Sequence, residues 1–304
     1  MEKIVVQVPA TSANCGPGFD SLGLALELYN TFTFTYDEEA KENTYSFSGF
    51  DADLLEKEDQ SQNLVGKAMD YVFKAAKVVP KYGHVESHSD IPPSRGLGSS
   101  STAIVAGLLL ANRMLQEPLK AEALLVLANE IEGHPDNVAP AILGNLVCAV
   151  NHDTGLLHTT IPLPEELVFA VVVPDVTVAT EYARSVLPKI IDHHEATINV
   201  SHATLFVTAL LQHKLEYLKV ALEDYLHVPY RKTLIPHCDD VFAAALEKGA
   251  YGATISGSGS TLIAYAPKSV AHEVAEAMKA VFEEAQIGCK SYVLKADTEG
   301  AKYI

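Results

Sequence analysis

The amino-acid sequence predicts an α+β protein built as two domains, and three observations carry that prediction. The 304 residues are 48% hydrophobic and 20% charged, the balance of a chain that buries one large core or two ordinary ones. Strand-like and helix-like stretches follow in mixed order, unlike the regular alternation of a doubly wound parallel sheet. The chain closes on a compact unit of strand, glycine-rich loop, strand, helix and strand, over Gly252–Ile255, Ser256–Ser260, Thr261–Tyr265, Val270–Glu284 and Ser291–Leu294.

The earlier elements follow from periodicity. Val5–Val8 reads as a strand, and Phe32–Tyr36 alternates aromatic residues with threonine, as a half-buried strand does. Asn63–Lys77 carries Leu64, Ala68, Tyr71, Val72 and Ala75 at helical spacing; further helices are predicted from Ser99 to about Gln116 and over Ala121–Ile131. Strands are expected at Asn145–Val150, Gly155–Ile161 and Val168–Val173, then helices at Ile191–His213 and Cys238–Lys248. There is no linker or low-complexity segment, so the boundary is placed in the short connection Leu163–Leu167, giving domains of residues 1–163 and 164–304.

Charge narrows the partners. A net charge of −17 repels nucleic acid and anionic membranes, but a small phosphorylated ligand can bind where Mg²⁺ and backbone dipoles offset it. No apolar run approaches the roughly 20 residues that span a bilayer, and the start, Met1–Val6, lacks the apolar core of a signal peptide. A cytoplasmic protein is expected. Cys15, Cys148, Cys238 and Cys289 are scattered and suggest neither a zinc site nor a disulfide framework.

The segment Pro92–Ala103 has the makings of a phosphate cradle. Its prolines end a strand, Gly96 and Gly98 let the backbone bend close to a ligand, and Ser99, Ser100 and Ser101 stand at the first turn of an apolar helix. Backbone N–H groups and the helix dipole then point at an anion. It is not a Walker loop, because serines follow Gly98 where that motif has Lys-Ser or Lys-Thr. A plain serine-capped helix start would look much the same.

Four other constellations stand out. Pro9–Gly23 is rich in small residues, Gly and Pro, so it reads as a loop after the first strand and not as core; Asn14 and Asp20 give it an amide and a carboxylate. It is either a simple turn or a substrate loop for a polar, hydroxyl-bearing molecule. Glu130–Pro140, at the end of the third helix, gathers carboxylates, His134 and Asn137 at a Gly/Pro break; such a set could hold Mg²⁺ and orient a hydroxyl, or be an acidic helix end. Ala250–Thr261 is a hairpin turn or a second glycine-rich loop closing over phosphates. Arg184 and Arg231 are scarce cations suited to bidentate carboxylate recognition. The adjacent His193 and His194 point in different directions on a helix and are discounted as a metal pair.

Together these segments resemble the GHMP kinase superfamily and, within it, the homoserine kinase family, over nearly the whole chain. Pro-x-x-x-Gly-Leu-Gly-Ser-Ser, here Pro92 to Ser100, carries the superfamily likeness. Pro-Ala-Thr-Ser-Ala-Asn-x-Gly-x-Gly-Phe-Asp and Glu-Gly-His-Pro-Asp-Asn-Val-Ala-Pro narrow it. The resemblance implies a ribosomal-S5-domain-2-like first domain, a ferredoxin-like second domain, and a site between them that transfers the γ-phosphoryl of ATP to L-homoserine for threonine biosynthesis. It implies that Pro92, Arg95, Gly96, Leu97, Gly98, Ser99, Ser100 and Ser101 wrap the phosphates, that Asn63 lies near the adenine, and that Ser100 and Glu130 hold Mg²⁺. Asn14, Asp20, His134, Asp136, Asn137, Thr180, Arg184, Arg231 and Gly257 would line the homoserine pocket. Asp136, Asn137 and Arg95 would serve the transfer itself, and a homodimer is compatible with it. Cys15 and Ser260 depart from the family pattern, which has an aliphatic residue and a proline there. The alternatives are a GHMP-type kinase for a sugar or isoprenoid alcohol and a catalytically silent nucleotide-binding regulator.

Overall fold

The computed structural model describes residues 3–153 and 155–304. β1 (Lys3–Ala13) and β2 (Leu22–Tyr36) form a long antiparallel pair at the heart of a seven-stranded sheet. β3 (Thr44–Gly49) lies parallel to β4 (Gly83–Ser89), which pairs with the later half of β2. β5 (Leu146–His152) takes the first residues of β2, and β6 (Gly155–Ile161) pairs with β5. The helices α1 (Leu64–Ala76), α2 (Ser99–Arg113), α3 (Ala121–Glu132) and α4 (Pro135–Leu143) join Val6, Val8, Phe32 and Phe34 in one apolar cluster. These sheet residues alternate along their strands, so a single face is buried.

The second sheet is fully antiparallel, in the order β10-β7-β9-β8, from β7 (Leu167–Pro174), β8 (Gly252–Ile255), β9 (Leu262–Pro267) and β10 (Cys289–Leu294). Between β7 and β8 the chain forms α5 (Thr180–Ser185), α6 (His193–Leu211), α7 (Val228–Arg231) and α8 (Cys238–Glu247); α9 (Ala271–Glu284) precedes β10. All eight residues of β7 are buried, and the pleat explains why. Val168, Ala170 and Val172 face α8 and α9, while Phe169, Val171 and Val173 face a cluster that also holds Leu22, Leu24, Leu26, Leu97 and Phe206. That cluster joins the two sheets. No helix among the described residues is long and apolar enough to cross a membrane.

Three features depart from the expected layout. β1 does not stop at Val8: Ala10, Thr11, Ser12 and Ala13 continue it and are buried. Their small side chains mark close packing, and the pairing shifts between Pro9 and Ala10, where proline has no N–H for the ladder. β3 and β4 are strands that no expected element covers: β4 is polar, with His84 and His88 and Val85 as its one aliphatic residue, and β3 alternates just two aromatic residues, Tyr45 and Phe47, with Thr44, Ser46 and Ser48. Finally, β11 (Lys302–Tyr303) pairs with β1, so the end of the segment expected as a second domain, 164–304, returns to the first sheet.

Candidate active site

Two loops and the end of β1 interlock at the floor of the cleft. Ser256 Oγ donates to Gly96 O at 2.6 Å and accepts from Ser12 Oγ at 2.9 Å. The Gly257 amide donates to Ala13 O at 3.1 Å, and the Thr261 amide to Arg95 O at 2.9 Å. A Cβ on Gly96, whose φ is +84°, would collide with Ser256 O, so only glycine lets the loops approach this closely. The β8–β9 loop therefore buttresses the Pro92–Ser100 segment, and of its residues Gly257 and Ser258 alone reach the cavity.

Above that floor lies a cavity of about 370 Å³. One end is the start of α2. Gly98 precedes the helix with φ +69°, and no side chain caps it; the first intrahelical bond is Thr102 N–H to Gly98 O. The amides of Ser99, Ser100 and Ser101 thus have no intrahelical acceptor, and they present the positive end of the helix dipole. Ser99 and Ser100 border the cavity, while Ser101 is buried and donates to Glu132 Oε1 at 2.9 Å.

Of the two carboxylates on α3, Glu132 reaches the cavity and the expected Glu130 does not. The two stand two residues apart on α3, about 200° around the helix axis, so they face opposite ways. Glu132 borders the cavity; Glu130 is exposed and does not. Burial raises the Glu132 carboxyl above its ordinary value despite the Ser101 hydrogen bond, so it favours a cation that would keep it charged. The inward stripe Leu124, Leu125 and Ala128, continued by four residues, pointed to 132.

The motif after Glu132 is a helix break, not a helix end. Gly133, φ +90°, terminates α3, and Pro135 opens α4 with Asp136 in its first turn. A carboxylate there is favoured by the dipole, the reverse of the expected C-terminal placement. His134 Nδ1 lies 2.7 Å from Asp136 Oδ1. That hydrogen bond raises the His134 pKa, with burial opposing. Asn137 Oδ1 accepts from Thr11 Oγ1 at 2.8 Å.

The opposite wall holds the two arginines. Arg184, on α5, makes a bidentate pair with Asp20 at 2.9 and 3.0 Å, which raises its pKa further. Arg231 is 2% exposed; its Nε donates to Ala183 O at 3.1 Å and its Nη1 to Gly257 O at 3.0 Å. Burial and then the neighbouring Arg184 lower its pKa to about 10, which leaves it a cation at neutral pH. Phe19 lies under both guanidinium groups, at 5.5 and 5.3 Å, a cation–π arrangement. His227, fully buried, packs its ring 5.2 Å from Phe19 and bonds through Nε2 to Gly16 O at 2.9 Å.

Every residue expected in the acceptor pocket borders the one cavity: Asn14, Asp20, His134, Asp136, Asn137, Thr180, Arg184, Arg231 and Gly257. Asn14 also staples two loops, its amide reaching Gly257 O at 3.1 Å and accepting from the Asp20 amide at 3.1 Å. Asn63 borders the far end and caps α1 through the Val65 amide. Pro92, Arg95, Leu97 and Ser101 do not border it. Pro92 and Leu97 are packed into the interior, and the Arg95 guanidinium turns to Thr177 Oγ1 at 2.8 Å, tying the loop down. Motif reading leaves out Glu132, which borders the cavity, and Thr11, Phe19 and His227, which pack against its lining residues or their neighbours.

Two family models match the chain. "GHMP kinases N terminal domain" covers residues 63–145 and "GHMP kinases C terminal" covers 206–284. Homoserine kinase of Trichormus variabilis is 40% identical over 301 residues, spanning 99% of each chain. That of Picosynechococcus is 41% identical over 302 residues, again 99% of each. A crystal structure of homoserine kinase from Cytophaga hutchinsonii superposes with a TM-score of 0.90 at 30% identity, covering 100% of this chain and 98% of that one. A mevalonate kinase of L. major shares the fold alone, with a TM-score of 0.72 at 15% identity.

Proposed function

From its membership of the homoserine kinase family within the GHMP kinases, to which the chain belongs by both domain matches and by full-length identity, we infer that this cavity transfers the γ-phosphoryl of ATP to the hydroxyl of L-homoserine. The product is O-phospho-L-homoserine, an intermediate on the way to threonine. One observation carries the reading. A single cavity sets an uncapped helix N-terminus beside a pocket with two guanidinium groups, Asp20 and Asp136.

The acceptor is a zwitterion with an alcohol at its far end, and the pocket's charges divide accordingly. Arg231, whose Nη2 makes no hydrogen bond among the described residues, takes the carboxylate together with Arg184. Asp20 takes the ammonium. Because Arg184 and Asp20 are already paired, the zwitterion exchanges one ion pair for two, and a ligand with a single charge leaves one partner uncompensated. Asp136, held by His134, accepts the hydrogen bond of the hydroxyl and aims its oxygen at the phosphoryl group.

On the nucleotide side, the Ser99–Ser101 amides receive phosphate oxygens, and Asn63 stands by the base. The site fits Mg²⁺. Glu132 is a half-buried carboxylate whose charged form a cation would favour, Ser100 adds a hydroxyl, and no cluster of three or more His, Cys, Asp or Glu in metal-binding array occurs among the described residues. Mg²⁺ draws much of its shell from phosphates and water, so two protein ligands suffice. When bound, it neutralises charge on the phosphate oxygens. Positioning and charge are most of what phosphoryl transfer asks of a protein.

Release of ADP, measured by a coupled assay with homoserine, mevalonate, galactose or no acceptor, tests the reading. Turnover is expected with homoserine and only background with the others. Equal or faster turnover with mevalonate or galactose would replace it with the sugar or isoprenoid-alcohol reading.

A further inference from the structure

We propose that Thr11 is a positioning residue for phosphoryl transfer: its hydroxyl holds the Asn137 side-chain amide so that Nδ2–H faces the acceptor oxygen. The proposal rests on the homoserine kinase reading above and adds a residue outside the pocket lining to its machinery.

The geometry begins with a conflict in β1. Thr11 is fully buried, in a strand whose neighbours Ala10, Ser12 and Ala13 are small. A buried hydroxyl is costly unless it is bonded. Its one partner among the described residues is Asn137 Oδ1, 2.8 Å away and 126 residues on in the chain. A primary amide has two ends of opposite character. With the carbonyl end taken by a donor, the NH₂ end is left for the cavity that Asn137 borders, and Nδ2 makes no hydrogen bond among the described residues. The two polar groups at the reacting hydroxyl are then complementary: the Asp136 carboxylate can only accept, and the Asn137 amide donates. A hydroxyl gripped between an acceptor and a donor has its proton and its lone pairs directed, which is the orientation that in-line attack needs.

Two further contacts tie the same residue to the phosphate loop. The Thr11 amide donates to Leu97 O at 3.1 Å. Gly98 passes so close that a Cβ there would collide with Thr11 Oγ1 and come within 3.2 Å of Asn137 Oδ1. Glycine at 98 therefore serves two ends, the left-handed turn before α2 and the space for the Thr11–Asn137 bond. One side chain on β1 thus sets the distance between the loop that holds the phosphoryl donor and the amide that orients its acceptor.

The test is a double-mutant cycle on the full-length enzyme, with kcat and both KM values read against homoserine and ATP. Thr11→Val keeps the shape and removes the hydroxyl. It is expected to lower kcat about tenfold or more, with the KM for ATP within about twofold of wild type. Thr11→Ser keeps the hydroxyl and is expected to retain most of the wild-type kcat. Asn137→Ala should lower kcat at least as far as Thr11→Val, and the double variant should lose no more than Asn137→Ala alone, because Thr11 acts through that amide. Losses that multiply in the double variant, or a Thr11→Val enzyme with full kcat, would overturn the proposal. Should Thr11→Val not fold, Thr11→Ala replaces it in the same cycle with the same expectations. Wild-type turnover on homoserine in the same assay separates this outcome from failure of the functional reading itself.

Discussion

Arg184 and Arg231 carry the same charge into the same pocket from opposite environments. Arg184 is substantially exposed and has already met a carboxylate, Asp20, bidentately. Arg231 is buried, bonded to two backbone carbonyls, and makes no ion pair with a carboxylate among the described residues, although Asp20, Asp136 and Asp224 lie near enough to act on its charge. An exposed ion pair is screened and easily exchanged, whereas a buried guanidinium with no carboxylate in direct contact gains strongly from an anion that reaches it. On the proposed reading, the contrast makes Arg231 the anchor for the acceptor carboxylate and Arg184 its exchangeable partner. The acidic pair on α3 repeats it, with Glu132 half-buried at the cavity and Glu130 in solvent.

Breaking the acidic half should have the largest effect. Glu132→Gln is expected to lower kcat by about a hundredfold, the scale of losing one transition-state charge contact, while Glu130→Gln stays within about twofold; titrating Mg²⁺ against turnover for both variants checks the assignment, and equal losses would erase the contrast. Arg231→Lys comes next. A compact ammonium cannot serve two carbonyls and a carboxylate at once, so KM for homoserine should rise about thirtyfold or more, with ATP affinity nearly unchanged. Similar losses for both ligands would place Arg231 in the general framework instead. For Arg184→Lys the expected rise in homoserine KM is only about five- to tenfold, and added salt should shrink the difference from wild type, since this side chain lies where ions screen it.

The smallest expected effect concerns His134 and stability. Its pKa is raised in the folded protein by the Asp136 hydrogen bond, so the pair stabilises the fold fully below the unfolded value of about 6.5 and loses that contribution as pH rises through the higher folded value. The urea midpoint of wild type should therefore exceed that of His134→Gln most at pH 5.5, and the gap should narrow toward pH 9. A gap that widened with pH would reverse the sign of the coupling.

Much of the site was legible because its motifs are local. Pro92–Ser100 and the His134–Asn137 run place glycines, serines and carboxylates at fixed short spacings, and such spacings survive folding unchanged. The pattern falls short where a position depends on something distant. In sequence Asp136 sits at a helix C-terminus, whereas in the fold Gly133 ends one helix and Asp136 lies in the first turn of the next. Arg95 sits inside the cradle motif, yet Thr177, 82 residues later, draws its guanidinium away. Thr11 and Phe19 look like filler in a small-residue loop; Asn137 and the two arginines, all far along the chain, give them partners.

By itself, then, the sequence determined the class of fold, the cradle at the start of α2, the family to which the chain belongs, and the residue types that meet a charged, hydroxyl-bearing acceptor, since all of these follow from composition and short-range pattern. Only the tertiary structure decided which of two carboxylates on α3 faces the cavity, which arginine is buried, and which hydroxyl holds Asn137. Those outcomes depend on helix phase and on the approach of segments more than a hundred residues apart, and the packed cluster between the sheets is what brings them together.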